Sequence, residues 1–153
     1  MVCCLKKWSQ NVHRSKYRMF QKSLKLQPYR RGFHLITNIV EEVLKESEVE
    51  SGIVHLFIKH TSASLTINEN VDPSVRSDME AFFNDTCDGK RYFIHTYEGS
   101  DDMPAHLKAS LIGSSVTVPL TDGKLNLGIW QGIYLGEHRD QAGGREIVIT
   151  VML

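Results

Sequence analysis

The chain has 153 residues, of which 41% are hydrophobic and 24% are charged, and its formal net charge is zero. This size and composition are those of one globular domain with a full core, so a second domain is not expected. Nine basic residues precede the first acid, Glu41, and the other nine face all eighteen acids, which gives the body of the chain a charge of about −9. Such a body excludes a nucleic-acid partner, because phosphate contacts need a basic face.

The cysteine and hydropathy patterns give no sign of a secreted or membrane-spanning protein. Cys3, Cys4 and Cys87 are too few and too unevenly spaced for a disulfide framework or a paired-cysteine metal site. No apolar run approaches the roughly 20 residues of a transmembrane helix. We therefore predict a protein of the cytoplasm with no membrane span.

Residues 1–18 differ from the rest of the chain, because they are basic and contain no acid. They predict a disordered N-terminal extension ahead of a domain that spans residues 19–153. The same composition would suit a mitochondrial transit peptide, so a mitochondrial location is the alternative to a cytoplasmic one.

The first part of the domain predicts strands and one helix. Apolar and polar residues alternate over 20–26, as on a half-exposed strand, and a second strand is predicted over 32–36. A helix follows, with Asn38 as its N-cap and Glu41 three residues later in a capping box. The nearly continuous apolar run 53–59 then predicts a central strand.

The next stretch, residues 60–73, carries more potential ligands than a strand and a turn need. Residues 65–68 are predicted to form a returning strand, and Asp72 is predicted to cap a helix with Pro73 at its first position. The polar candidates in this stretch are His60, Ser62, Glu69, Asn70 and Asp72. A strand histidine is usually a hydrogen-bonded structural residue, but the polar run after His60 favours a ligand.

A second polar cluster follows a strand predicted over 91–96. Asp102 is the predicted N-cap of a helix with Pro104 in its first turn, so His106 lies near the helix N-terminus. The helix dipole favours anions there and disfavours an imidazolium, which suits a neutral imidazole beside a phosphate or a metal. For Asp101 and Asp102, capping alone is an equally good explanation.

The last part predicts a hairpin and two long strands. A strand over 116–120 and a turn lead to a strand over 125–137, whose apolar face is interrupted by Gln131 and Glu137. A buried polar group without hydrogen bonds costs roughly 1 to 3 kcal/mol, so both residues need partners in a site or an interface. The chain closes with a strand over 146–153, in the middle of the sheet.

Two further features of this part point to ligands. The glycines on either side of Trp130 predict a close approach of another backbone or of a ligand. Gly143 and Gly144 form a short loop that presents amides to an anion, and Arg145 adds a planar fork that suits phosphate or carboxylate.

The spacing of these residues matches no P-loop, nucleophile elbow or metalloprotease motif. The polar clusters would suit a phosphorylated ligand, with or without a divalent metal. Carboxylates would suit Mg²⁺, whereas His60, His95 and His106 would suit Zn²⁺, and the spacing leaves both open.

Several motifs in order resemble the YjbQ-type family, also called the secondary thiamine-phosphate synthase family. The similarity runs from about Met19 to the C-terminus. The motifs are Arg31-Gly32-Phe33-His34, His60-Thr61-Ser62-Ala63-Ser64-Leu65, Asn68-Glu69-Asn70 with Asp72-Pro73, Asp101-Asp102-Met103-Pro104-Ala105-His106, Gly128-Ile129-Trp130-Gln131 and Glu137-His138-Arg139.

The resemblance implies a single compact α+β domain, with largely antiparallel β-sheets in a sandwich-like core and about three helices, that assembles as a homotrimer. It also implies an activity that joins a hydroxymethylpyrimidine pyrophosphate to a thiazole phosphate and releases pyrophosphate. The alternative is a trimeric metal- or phosphate-binding protein with no dedicated enzymatic activity.

Under the first interpretation, the polar clusters divide into three roles. The catalytic candidates are His60, His106 and Glu137. The candidates for binding the small phosphorylated heterocycle are Ser62, Glu69, Asn70, Trp130, Gln131 and Arg145. The candidate ligands of a divalent metal, Mg²⁺ or Zn²⁺, are His60, His106 and Asp72.

Overall fold

The computed structural model describes residues 19–153, and the predicted N-terminal extension lies outside the described residues. In chain order the elements are β1 (Met19–Lys25), β2 (Gly32–Leu35), α1 (Thr37–Leu44), β3 (Gly52–Ile58), β4 (Ala63–Glu69), α2 (Pro73–Cys87), α3 (Asp102–Ile112), β5 (Ser115–Thr121), β6 (Lys124–Leu125), β7 (Gln131–Glu137) and β8 (Glu146–Met152). The predicted α+β class with three helices is confirmed for this part of the chain.

The strands form two antiparallel sheets. Five strands pair in the order β1-β8-β3-β5-β6, and three pair in the order β2-β7-β4. The sheets together form a half-barrel rather than the predicted sandwich-like core. Strand β8 lies between β1 and β3, which confirms the internal position predicted for the last strand.

The core lies where the inner faces of the two sheets meet. Leu56 and Ile58 of β3 pack with Ile133 and Leu135 of β7, and all four are at most 1% exposed. Alternate residues of β3 point outward, as the period of two along a strand requires. Helix α1 adds Val40 to the same core.

The glycine pattern of β7 reflects close packing between strands. A Cβ atom at Gly136 would collide with Ser64 of β4 and with His138, and one at Gly132 would collide with Leu35 of β2. These glycines are therefore approached closely by side chains, rather than by the backbone or ligand that was predicted.

The predicted strand over 91–96 is wrong. These residues form a turn and an irregular loop, and they pair with no strand of the described chain. Tyr92 and Ile94 are 76% and 92% exposed, so the apolar residues of this segment have no sheet to pack against. His95 is consequently a loop residue.

Three predicted boundaries are also corrected. Helix α1 begins at Thr37, so Asn38 lies inside it, and no side chain of the described residues caps its first turn. Asp102 is the first residue of α3 and Asp101 is its N-cap. The strand predicted over 125–137 is broken at residues 126–130, where Gln131 N bonds back to Gly128 O.

The helix start predicted at Asp72 is confirmed. Its carboxylate accepts a hydrogen bond of 2.8 Å from Ser74 N, and Pro73 is the first helical residue. Because proline has no amide hydrogen to satisfy, it fits the first turn, where amides lack intrahelical partners.

Candidate functional site

Three potential ligands meet at the N-terminus of α3. Asp102 begins the helix, His106 lies one turn later on the same face, and His95 comes from the preceding loop. One side-chain atom from each lies within 4.8 Å of the other two. We refer to these residues as the His–Asp–His cluster.

Both imidazoles present Nε2 to the carboxylate of Asp102. His95 Nε2 lies 2.9 Å from Oδ2, and His106 Nε2 lies 3.5 Å from Oδ1. The side chain of Asp102 is only 2% exposed, whereas that of His95 is half exposed. The cluster therefore joins a buried carboxylate to a face that solvent reaches.

The tautomer of His106 follows from its second nitrogen. Nδ1 lies 3.0 Å from Thr61 O, and a carbonyl oxygen can only accept, so Nδ1 carries the hydrogen. In the neutral ring, Nε2 then presents a lone pair toward Asp102. A histidine whose other nitrogen is bonded to a carbonyl is the usual arrangement around a protein-bound metal.

The two oxygens of Asp102 have different surroundings. Oδ1 accepts a hydrogen bond from Arg139 Nη1. Oδ2 is buried and accepts no hydrogen bond within residues 19–153, and it lies 2.9 Å from His95 Nε2. The carboxylate is thus held by Arg139 at one oxygen and lies beside His95 at the other.

Arg139 fixes the segment that carries these ligands. Its Nε donates to Asp101 Oδ2 at 2.9 Å, and its Nη2 donates to Glu98 O at 2.6 Å. Burial opposes ionisation of Asp101, but the Asp140 amide and the Arg139 guanidinium outweigh it and lower the pKa of that carboxyl. The loop before α3 is therefore tied to the end of β7 by a charged clamp.

His106 also lines a cleft of about 350 Å³. The wall of this cleft also includes His60, Thr61, Ser110 and Ser114. We refer to the cleft as the His106 cleft. This volume lies in the range of small-molecule sites, and the hydroxyls and imidazoles give it polar walls.

The structure brings His60 into this cleft, in contact with β8. Its Nε2 accepts a hydrogen bond of 2.8 Å from Glu146 N, and its Nδ1 lies 3.4 Å from Arg145 Nη1. Burial and the nearby Arg145 lower the pKa of His60, so its ring is neutral at neutral pH.

Glu137 and Arg145 form a buried ion pair behind His60. Arg145 Nε and Nη2 donate to Glu137 Oε2 and Oε1 at 2.7 and 2.6 Å, and Arg139 N also donates to Oε1 at 3.0 Å. Glu137 is fully buried. The polar partner that Glu137 was predicted to need is therefore the guanidinium of Arg145, which also donates to the carbonyl of Ser62 at 3.4 Å.

The other predicted substrate contacts lie at the opposite end of β4. Asn70 and Gln131 line a cleft of about 410 Å³ on that side, which we refer to as the Gln131 cleft. Asn70 Nδ2 donates to Gln131 O at 2.9 Å, and Trp130 is 58% exposed. Strand β4 has seven residues and therefore six steps between its ends, so at about 3.3 Å per residue these ends are roughly 20 Å apart.

The predicted site residues therefore fall into two groups. His60, His106, Glu137 and Arg145 lie together at the start of β4, with the backbone of Ser62. Glu69, Asn70, Trp130 and Gln131 lie around its far end. Asp72 is an exposed helix cap next to the second group, and its hydrogen bonds from Ser74 lower the pKa of its carboxyl.

Two of the three clustered residues were not among the predicted site residues. His95 was considered only as a general candidate for Zn²⁺, and for Asp102 helix capping and metal binding were given equal weight. The available signal was the four-residue spacing from Asp102 to His106, which places two side chains on one helix face. The loop that returns His95 to that face gives no comparable signal.

These features define an antiparallel α+β protein with a His–Asp–His cluster at the edge of a polar cleft. The model of the UPF0047 protein YjbQ-like family matches residues 22–153, and the chain belongs to this family.

Individual relatives agree with this assignment. UPF0047 protein YjbQ of Escherichia coli O157:H7 is 48% identical over 133 residues, which cover 86% of this chain and 96% of the relative. A protein of the YjbQ/UPF0047 family from Clostridium acetobutylicum has a solved structure with a TM-score of 0.71 at 36% identity, over 88% of this chain and 99% of that one.

A protein with lower sequence identity has the same fold. A YbjQ-like protein of unknown function from Sulfolobus solfataricus P2 superposes with a TM-score of 0.80 at 24% identity, over 89% of this chain and 98% of that one. At that identity the likeness concerns the fold alone. Within residues 19–153, no helix is long and apolar enough to cross a membrane.

Proposed function

We propose that the protein binds a divalent transition metal through His95, Asp102 and His106. The observation that supports this is the buried Oδ2 of Asp102, which lacks a hydrogen bond among residues 19–153 and lies 2.9 Å from His95 Nε2. Removing a carboxylate from water costs several kcal/mol unless a charge compensates it. Arg139 compensates one oxygen, and a cation would compensate the other.

The composition of the cluster favours a transition metal over Mg²⁺. Two imidazoles and one carboxylate suit Zn²⁺, Fe²⁺ or Mn²⁺, whereas Mg²⁺ prefers oxygen ligands and bound water. Three protein ligands leave a coordination position for water or substrate, as in catalytic rather than structural sites. When bound, such a metal would polarise a phosphoryl or carbonyl oxygen.

The test measures unfolding with and without metal. At a free Zn²⁺ concentration of about 100 times Kd, the ion should raise the free energy of unfolding of the wild-type chain by about 2.7 kcal/mol. Asp102→Asn should abolish this gain, and Mg²⁺ at the same concentration should give far less. His55→Gln is the matched control, because His55 is a histidine of β3 hydrogen-bonded to Thr117 outside the cluster. Equal stabilisation of wild type and Asp102→Asn would refute the proposal.

A second candidate function is the joining of a hydroxymethylpyrimidine pyrophosphate to a thiazole phosphate, as the sequence resemblance implies. It is supported by the shared wall of the His106 cleft, where His60 and His106 flank a volume suited to a small ligand. In this mechanism His106 would help to hold the metal beside the departing pyrophosphate, and neutral His60 would contact the substrate.

An assay of pyrophosphate release tests this function. The full chain would be incubated with both substrates, with Zn²⁺ or Mg²⁺ in separate reactions. His106→Ala should reduce release by at least a hundredfold, whereas His55→Gln should keep it. Release that is absent from the wild type, or unchanged in His106→Ala, would reject this candidate and leave metal binding as the better description.

The assembly proposed for this protein is a homotrimer. The outer face of the five-stranded sheet supports it, because Ile53, Phe57 and Met152 are 47%, 44% and 42% exposed there. Exposed apolar patches of this kind usually mark contacts between proteins. Sedimentation equilibrium should give the mass of three chains, and Phe57→Asp should reduce it to one.

The proposed location is the cytoplasm. Fusions of a fluorescent protein to the full chain and to residues 19–153 test it. Mitochondrial fluorescence that depends on residues 1–18 would support the alternative instead.

A further inference from the structure

The contacts of His60 define the position of its ring hydrogen. Glu146 N is a backbone amide, so it always donates, and it lies 2.8 Å from His60 Nε2. Nε2 must therefore be the unprotonated nitrogen, and Nδ1 carries the hydrogen of the neutral ring. The lowered pKa of His60, caused by burial and by Arg145, agrees with a neutral ring.

This tautomer places two donors against each other. His60 Nδ1 lies 3.4 Å from Arg145 Nη1, whose hydrogens can only be donated. The other two guanidinium nitrogens of Arg145, Nε and Nη2, donate hydrogen bonds to Glu137, and Nη2 also donates to Ser62 O. Within residues 19–153, Nη1 has no carbonyl or carboxylate acceptor. Two partly buried N–H groups thus converge and lack an acceptor.

We propose that His60 Nδ1–H and Arg145 Nη1–H form a binding subsite for one oxygen of a small oxyanion beside the His106 cleft, whose wall includes His60. An oxygen beside the line between the two nitrogens would accept from both, and charge-assisted hydrogen bonds of this kind are the stronger ones. The subsite adds a second polar position to the cleft and does not require a metal, so it stands apart from the metal proposal.

The charges around the subsite restrict the class of ligand. Arg145 is neutralised by Glu137, and the exposed Glu146 is paired with Lys59 at 2.6 Å. Lys25 also lies near Glu146, so three positive and two negative groups leave one positive charge, which compensates a singly charged ion but not a doubly charged one. A singly charged oxyanion fits best, which means a carboxylate or a phosphate monoanion.

The first test uses the wild-type chain alone. In metal-free protein, ¹⁵N NMR of the imidazole should show His60 with hydrogen on Nδ1. Acetate, or inorganic phosphate at pH 6, should shift the Nδ1 resonance in a saturable way. A hydrogen on Nε2, or an Nδ1 resonance that neither anion shifts, would overturn the proposal.

The second test removes the Nδ1 donor of His60 and keeps an acceptor for the hydrogen bond from Glu146 N. In His60→Gln, the side-chain oxygen can still accept from Glu146 N, but the Nδ1 donor is lost. Anion affinity in the metal-free chain should fall about tenfold, the effect of one charge-assisted hydrogen bond. His55→Gln, in β3 and outside the cleft wall, should leave the affinity unchanged. Equal affinity in wild type and His60→Gln would overturn the subsite.

The two probes distinguish the sources of the oxyanion. Tighter binding of acetate than of phosphate identifies a carboxylate ligand, and the reverse identifies a phosphate ester. Because these titrations use metal-free protein, they succeed or fail independently of Zn²⁺ binding by the His–Asp–His cluster.

Discussion

Asp102 and Glu137 are both buried carboxylates that meet an arginine, yet their surroundings differ. Both oxygens of Glu137 accept hydrogen bonds from Arg145, and one also accepts from Arg139 N. Only one oxygen of Asp102 is hydrogen-bonded among the described residues, and the other lies beside His95. We refer to Glu137–Arg145 as the completed pair and to Asp102–Arg139 as the incomplete pair. The completed pair stabilises the fold, whereas the incomplete pair leaves one carboxylate oxygen available to a ligand.

The largest expected effect comes from breaking the completed pair. Glu137→Gln leaves Arg145 buried without its counter-charge, and loss of one partner of a buried pair costs about 3 to 5 kcal/mol. Asp102→Asn should cost far less in metal-free protein, because Arg139 keeps its bonds to Asp101 and Glu98. Urea unfolding of both variants measures the difference.

A surface pair serves as the control for this experiment. Glu146→Gln removes the partner of the exposed Lys59, and surface pairs contribute at most about 1 kcal/mol. If Glu137→Gln were no more destabilising than Glu146→Gln, the structural role of the completed pair would be disproved.

The stability of the protein should decrease at acid pH because of His138, which lies near Arg145 of the completed pair. Burial first, and then the positive charges of Lys108, Arg31 and Arg145, lower the pKa of His138 to about 3. The folded state thus binds no proton at His138 until the pH approaches this value, whereas the unfolded state binds one near its usual pKa of about 6.5. The stability contributed by neutral His138 is complete above pH 6.5 and is lost as the pH falls.

The expected loss is roughly 3 kcal/mol between pH 7 and pH 4, at about 1.4 kcal/mol per pH unit below pH 6.5. Unfolding measured across this range should show a shallower slope in His138→Gln, whose amide does not titrate there. His55→Gln should keep the wild-type slope. Parallel slopes for wild type and His138→Gln would contradict the assignment to His138.

A smaller effect should follow from loosening the incomplete pair. Arg139→Lys retains the positive charge but lacks the planar guanidinium that donates hydrogen bonds to Asp101, Asp102 and the carbonyl of Glu98 at the same time. Zn²⁺ affinity should fall by about 10- to 100-fold, as for other groups that orient metal ligands. Calorimetric titration measures it, with the exposed Arg30→Lys as control. Affinity equal to wild type would show that the clamp does not orient Asp102.

Much of the fold could be predicted because its strands obey local rules. The alternation over 20–26 and the apolar run over 53–59 identify β1 and β3, and the sequence Asp72-Pro73 identifies the start of α2. The strand predicted over 91–96 did not form, because a strand also needs a neighbouring strand to pair with, and the local sequence does not specify that neighbour.

The candidate site was less predictable, because its contacts join distant positions. His106 was found through its place near a helix start, and Glu137 through its polarity on an apolar face. The pairing of Glu137 with Arg145 and the approach of His95 to Asp102 depend on how the loops return, which neither periodicity nor composition records. Whether the predicted ligands act as assigned stays a prediction.

The length of β4 has a consequence for how the two clefts evolve. A ligand that fits the His106 cleft cannot also reach the Gln131 cleft, since one whole strand separates them. Substitutions more than about 10 Å apart with no shared partners usually add in free energy. The free-energy effects of substitutions at His106 and at Gln131 should therefore add. Selection can then change the cleft at one end of β4 without affecting the cleft at the other end.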